Sequence, residues 1–279
     1  MNLEAMTDDA LTEIAARSRR SIVSIGYDAG GQGAHFGPAL SLVEIMTALY
    51  GIAVRHLPTD RLSPDRDRVV LSKGHGSLAL YSVLHEYGYI DAALLATAEK
   101  DGSPLPGQPI RNRELGIEFS SGSLGMGLSF GVGLALSARM MASNRSIYVV
   151  MGDGETNEGS TWEAAMSAAH FGLTHLTAIV DVNNLQSNGL TSEVMSCNHR
   201  AIWAGFGWDV MEIDGHSFPD LRESLFRPAS SRPRCILAHT TKGKGVSFME
   251  GAPDWHHGRL TEAQFERAAQ EVRLRDWPQ

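Results

Sequence analysis

The chain has 279 residues, 43% hydrophobic and 20% charged, with a net charge of −8. That length suits one large α/β domain or two small ones, and the acidity, with no Lys/Arg block to offset it, argues against a nucleic-acid partner. Cys197 and Cys235 are the only cysteines and have no metal-ligand spacing. With no signal peptide and no run of about 18–20 apolar residues, the expectation is a soluble cytoplasmic protein without a membrane partner.

In chain order, Leu3 to Gly26 reads as one or two amphipathic helices, with Leu11, Ile14, Ala15, Ile22 and Ile25 as the apolar positions. The glycine-rich break AGGQGAHFG precedes a helix predicted over Ser41 to Tyr50, its start marked by Pro38 and Ser41. A short strand from Asp67 to Leu71 ends in SKGHG, and helices are predicted over Ser77 to Tyr87 and Asp91 to Lys100. The segment GSPLPGQPIRNRELGIEF is a long irregular loop, of the kind that is usually functional or disordered. SGSLGMG then opens a helix, Leu124 to Met140. Its glycines would cost stability in the open, so the helix is expected to be buried and closely packed.

Next comes the most specific pattern. The apolar run Ser146 to Met151 delivers the chain to Gly152-Asp153-Gly154, a helical stretch follows, and Leu176 to Val180 leads to Asp181 and Asn183-Asn184. Asn183 stands 30 positions after Asp153. An acid and an amide thus fall at the C-terminal ends of two strands joined by a helix, where a parallel sheet presents its ligand site. Oxygen ligands there suit a hard cation, Mg²⁺ or Ca²⁺, and the flanking glycines let backbone approach a diphosphate. Beyond it lie a strand from Trp208 to Ile213, a helix from Phe218 to Leu225, a strand from Arg234 to Thr240 ending in TTKGKG, and a helix from Thr261 to Arg275. Strands alternating with helices predict a doubly wound parallel sheet with helices on both faces. No repeat or linker divides the chain, so one domain over 1–279 is expected, with 1–26 as an N-terminal helical segment.

An isolated histidine is ordinarily a surface or satisfied core residue. Several in glycine-rich strand-end loops are different, because such loops converge on one crevice. The words GAHFGPALS, LSKGHGSLALY, SSGSLGMGLS, GDGETNEG, AIVDVNN and TTKGKG with DWHHG occur in this order. Together they resemble the N-terminal half of transketolase from about Ser21 onward.

The resemblance implies a thiamine diphosphate-binding fold in which this chain holds the diphosphate. Asp153, Asn183 and the carbonyl of Leu185 would ligate the metal. Gly152, Gly154, Glu155, Asn183, His75 and His256 would contact the cofactor, as would Gly122, Ser123 and Leu124 on the aminopyrimidine side. His35, His75 and His256 would move protons, and His35 would face substrate. Glu158 would sit at an interface beside a partner's catalytic carboxylate. His257 is taken as the bland neighbour of His256. One departure concerns Gln108, in LPGQP, where the family has a histidine that recognises the donor; a glutamine keeps hydrogen-bonding capacity but cannot become cationic.

The pyrimidine-binding domain and its glutamate are not among these words. The expectation is the N-terminal subunit of a split transketolase, paired with a C-terminal subunit in an α₂β₂ assembly. It would move a two-carbon ketol unit between sugars or sugar phosphates. Two alternatives stay open: a two-component enzyme with a pyruvate-like or specialised acyl donor, which Gln108 keeps alive, and a non-catalytic partner subunit, against which the Asp153–Asn183 pair argues.

Overall fold

The computed structural model describes residues 6–55, 59–187, 189–228 and 230–272. Five strands form one sheet: β1 (Arg68–Leu71), β2 (Ile147–Gly152), β3 (Leu176–Val182), β4 (Asp209–Asp214) and β5 (Arg234–His239). All pairings are parallel and the spatial order is β1-β2-β3-β5-β4. Strands β1, β2 and β3 are buried at every position, which is why they read as apolar runs rather than alternations. Successive residues of β2 feed opposite layers. Tyr148 and Val150 join the cluster built on Leu11, Phe36 and Tyr81, while Val149 and Met151 join the one built on Leu128, Ala165 and Trp203. Helices therefore cover both faces, as the alternating pattern predicts.

Boundaries differ where side chains intervene. The first helix is one piece, Asp8–Asp28, opened by Thr7, whose hydroxyl accepts the Ala10 N–H. Residues 3–5 and 273–275 of the two terminal predictions lie outside the described residues. The helix expected over Ser41 to Tyr50 begins earlier, at Phe36, and breaks at Ser41–Leu42 before resuming as Val43–Ala48 and a π turn, Leu49–Ala53. Ser41 is drawn aside there: its Oγ lies 2.6 Å from Asp181 Oδ2.

The helix expected over Asp91 to Lys100 is a correction. Only Ala92–Leu95 is helical, because the chain turns back at Glu99, which has φ 63° and donates its N–H to Leu105 O. The glycine-rich helix runs Met126–Met140 and is buried along one side only. A Cβ on Gly131 would lie 2.5 Å from Val149 Cγ2, so close packing explains that glycine, but Gly133 faces open space.

No helix among the described residues is long and apolar enough to cross a membrane.

Candidate active site

The parallel sheet brings four strand ends to one side: Ser72-Lys73 after β1, Asp153 after β2, Asn183 after β3 and Thr240 to Lys242 after β5. They frame a cleft of about 160 Å³ whose walls include Asp153, Asn183, Leu185, His75, His256 and Lys242. Ligand clefts at the carboxyl ends of strands are the rule for open α/β sheets.

At its floor, Asp153 is 3% exposed. Its two carboxylate oxygens accept the N–H groups of Gly154 and Asn184, each at 2.8 Å, and no described residue forms an ion pair with it. Asn184 reaches that position only through a left-handed backbone, φ 60°. Burial, with the nearby Asp181 charge, pushes the Asp153 carboxyl up to about 6, against the two N–H donors and Lys73. Asn183 is fixed on both sides, its amide nitrogen donating to Asp181 Oδ2 at 3.1 Å and its oxygen accepting the Leu185 N–H at 3.1 Å.

Beneath them lies a buried ion pair. Lys73 Nζ is 2.5 Å from Asp181 Oδ2, with side chains 1% and 0% exposed. Burial works against the Asp181 carboxylate, but Lys73 and the hydroxyls of Ser41 and Thr240 outweigh it and hold its pKa low. This pair orients Asn183 from behind, since Asp181 Oδ2 also accepts the Asn183 amide. Among the described residues no group of three or more His, Cys, Asp or Glu could hold a metal. The polar groups at the cleft floor are instead one carboxylate, Asp153, and one amide, Asn183.

The upper wall carries His75 and His256, and His35 stands beside them outside the lining. His35, His75 and His256 have ring centroids 5.2–6.1 Å apart. Burial comes first in keeping each neutral. His75 is held well below the usual range with help from Lys73, His35 falls to about 4 with help from His257, and His256 to about 3 with help from Lys242. Lys242 Nζ sits 3.0 Å from His256 Nδ1. An ammonium only donates, so Nδ1 accepts and His256 carries its proton on Nε2. Burial and Lys73 push the Lys242 ammonium down to about 8.

Other expected residues fall into different places. Leu124, Gly152 and Gly154 line the cleft, whereas Gly122 and Ser123 are exposed outside that lining. Glu155 borders the cleft, but its carboxylate is taken up by Ser72 Oγ and the N–H groups of Gly125 and Gly152, tying three loops together. Glu158 is exposed and packs against Gly125. Gln108 lies over Gly74, where its buried Oε1 has no hydrogen-bond partner. Lys73, Asp181 and Lys242 were not singled out from sequence. Their signal was present, since each lies inside a word used for the histidines or the Asp-Asn pair.

The comparisons agree on one family. The profile described as "Transketolase, thiamine diphosphate binding domain" matches residues 17–275. An apulose-4-phosphate transketolase subunit of Phocaeicola vulgatus is 44% identical over 260 residues, covering 92% of this chain and 91% of that protein. The "6-deoxy-6-sulfo-D-fructose transketolase subunit SqwG" of Clostridium sp. is 41% identical over 241 residues, covering 85% and 88%. Among solved structures, transketolase from Leishmania mexicana superposes with a TM-score of 0.87 at 28% identity, over 94% of this chain and 41% of that one. Transketolase from Campylobacter jejuni gives 0.84 at 29%, over 93% and 43%. The chain thus spans about two-fifths of those solved chains and nearly all of the two subunits. It belongs to the transketolase family of transferases, as its thiamine diphosphate binding domain.

Proposed function

We propose that this chain is the diphosphate-holding subunit of a two-component transketolase that moves a two-carbon ketol unit from a ketose donor to an aldose acceptor. The observation that carries the reading is an imbalance in the cleft. It has a buried, unpaired carboxylate, an oriented amide oxygen and cationic or neutral basic groups above them, which suit a metal diphosphate. Among the described residues it has no carboxylate free to face a pyrimidine ring: Glu155 is engaged by Ser72, Gly125 and Gly152, and Glu158 is exposed outside the lining.

A divalent cation, Mg²⁺ or Ca²⁺, fits at Asp153, Asn183 and the Leu185 carbonyl, because it would supply the charge that Asp153 lacks. Lys73 and Lys242 would meet diphosphate oxygens, and His256 would donate from Nε2. Bound thiamine diphosphate supplies the electron sink for carbon–carbon cleavage. The chain's own residues orient it, exclude water and move protons. Neutral His35 and His75 can each accept a proton from a substrate hydroxyl, which an imidazolium could not, and the imidazolium so formed can return it. The missing glutamate would come from a C-terminal subunit, in an α₂β₂ assembly in the cytoplasm.

The decisive experiment assays ketol transfer with the purified chain alone and with a C-terminal subunit. Activity only in the mixture is expected; full activity of the isolated chain would refute the assignment. A finer reading concerns the donor. Gln108 places an unpartnered amide oxygen beside Gly74 where the family has a histidine, so donor preference is expected to differ from that for common ketose phosphates. Equal rates with those donors for wild type and Gln108→His would sink it.

A further inference from the structure

His257, taken from sequence as a bland neighbour, lies nearer His35 than any other histidine of the cluster. Its ring centroid is 4.5 Å from that of His35 at an interplanar angle of 72°, against 5.6 Å for His256 and 6.1 Å for His75. His35 is half-buried and His257 exposed, so His257 covers the solvent side of the pair.

The backbone builds this contact. Ala34 and Gly258 form an antiparallel bridge and exchange both hydrogen bonds, Ala34 N–H to Gly258 O at 2.9 Å and Gly258 N–H to Ala34 O at 3.0 Å. The next opposed pair is His35 and His257. It is a non-hydrogen-bonded pair, the kind whose side chains stand closest on a shared face. The approach also requires a glycine at position 33. Gly33 has φ 72°, and a Cβ there would lie 2.6 Å from Gly258 O and 3.1 Å from His257 Cε1.

We propose that His257 is a positioning residue for His35: the bridge sets its ring edge-on against the His35 imidazole and holds that imidazole toward the donor substrate. The inference rests on His35 being the substrate-facing histidine. Charge adds a second effect of the same contact. The charged groups acting on His35 are His257 and Lys242, with the rings of His75 and His256 also facing it. All are basic, so a protonated His257 opposes protonation of His35 and keeps it able to accept a proton.

The test uses the full chain in complex with its C-terminal subunit, comparing His257→Ala with His257→Phe, each also in a His35→Ala background. An edge-to-face contact of this kind predicts roughly a two- to tenfold rise in donor KM for His257→Ala, with kcat less affected. His257→Phe keeps the ring edge and is expected to recover most of the loss. Neither change should matter once His35 is alanine. An additive loss in that background would mean direct substrate contact and overturn the positioning role, as would no loss in His257→Ala or an equal loss in His257→Phe.

A second readout needs no activity. In the full chain, NMR titration of the His35 ring should show its midpoint rising when His257→Phe removes the charge; an unmoved midpoint would overturn the electrostatic half. An assembly without ketol transfer would count against the function proposed above, and the ring titration would still decide this contact.

Discussion

The placing of Asp153 and Asn183 in one cleft was legible because apolar runs mark strand ends in any parallel sheet, and neighbouring strand ends open on the same crevice. Lys73 was harder to see. Its neighbours Leu71, Ser72 and Gly74 are buried, yet nothing local distinguishes a buried lysine from an exposed one until its partner is known. That partner, Asp181, is 108 residues away. The pair makes a sharp prediction. Asp181→Asn leaves the Lys73 ammonium buried without a counter-charge and is expected to destabilise the chain by about 3–5 kcal/mol in urea unfolding. Adding Lys73→Met removes the orphaned charge and should recover most of that stability. Coenzyme-dependent thermal stabilisation should not return, because Lys73 lines the cleft itself. Recovery of both would show that the pair serves the fold alone.

Among the elements, strands were read to within a residue or two, and for β1, β2 and β3 the reason is burial on both faces, which favours apolar runs. The half-buried helices were less transparent. Glycines in the Met126–Met140 helix read alike in sequence but occupy opposite environments. A methyl group at Gly131 meets Val149, while one at Gly133 meets nothing within 4 Å. In the isolated chain, Gly131→Ala should therefore cost about 1–3 kcal/mol by overpacking. Gly133→Ala should gain up to about 1 kcal/mol from helix propensity. Equal effects in chemical denaturation would contradict the one-sided packing.

The failed prediction over Asp91 to Lys100 has its own cause. Glu99 is held in a left-handed corner by Leu105, and its Oε1 is buried without a partner. Burial pushes its carboxyl up to about 7 from 4.5. The folded state therefore holds this proton more tightly than the unfolded one, and stability falls as pH rises across that window, remaining lower above it. Glu99→Gln removes the burden. Its melting temperature should exceed that of wild type by a larger margin at pH 8 than at pH 5, and a constant margin would show that Glu99 does not titrate there.

At the scale of the whole molecule, the strand order could not be read from sequence, because nothing local says that β5 inserts between β3 and β4. The crossover matters: it brings Lys242 to the cleft that Asn183 lines and completes it. What the fold leaves uncovered is equally informative. Met126, Met140, Met166 and Phe171 are 42–86% exposed on or beside the helices Met126–Met140 and Gly159–His170, which pack against each other. The first of these helices follows directly from the loop that supplies Leu124 to the cleft, and the second begins at Glu158. This face is where we expect a partner completing the cofactor site to approach, and exposed methionines suit it because they repack readily. Met126→Asp with Met166→Asp should leave the melting temperature of the isolated chain nearly unchanged, since both side chains are already about half exposed. The same change should abolish or sharply weaken assembly with the C-terminal subunit in analytical ultracentrifugation, and ketol transfer should fall in proportion. Undiminished assembly would place the partner on another face and leave these methionines as ordinary surface.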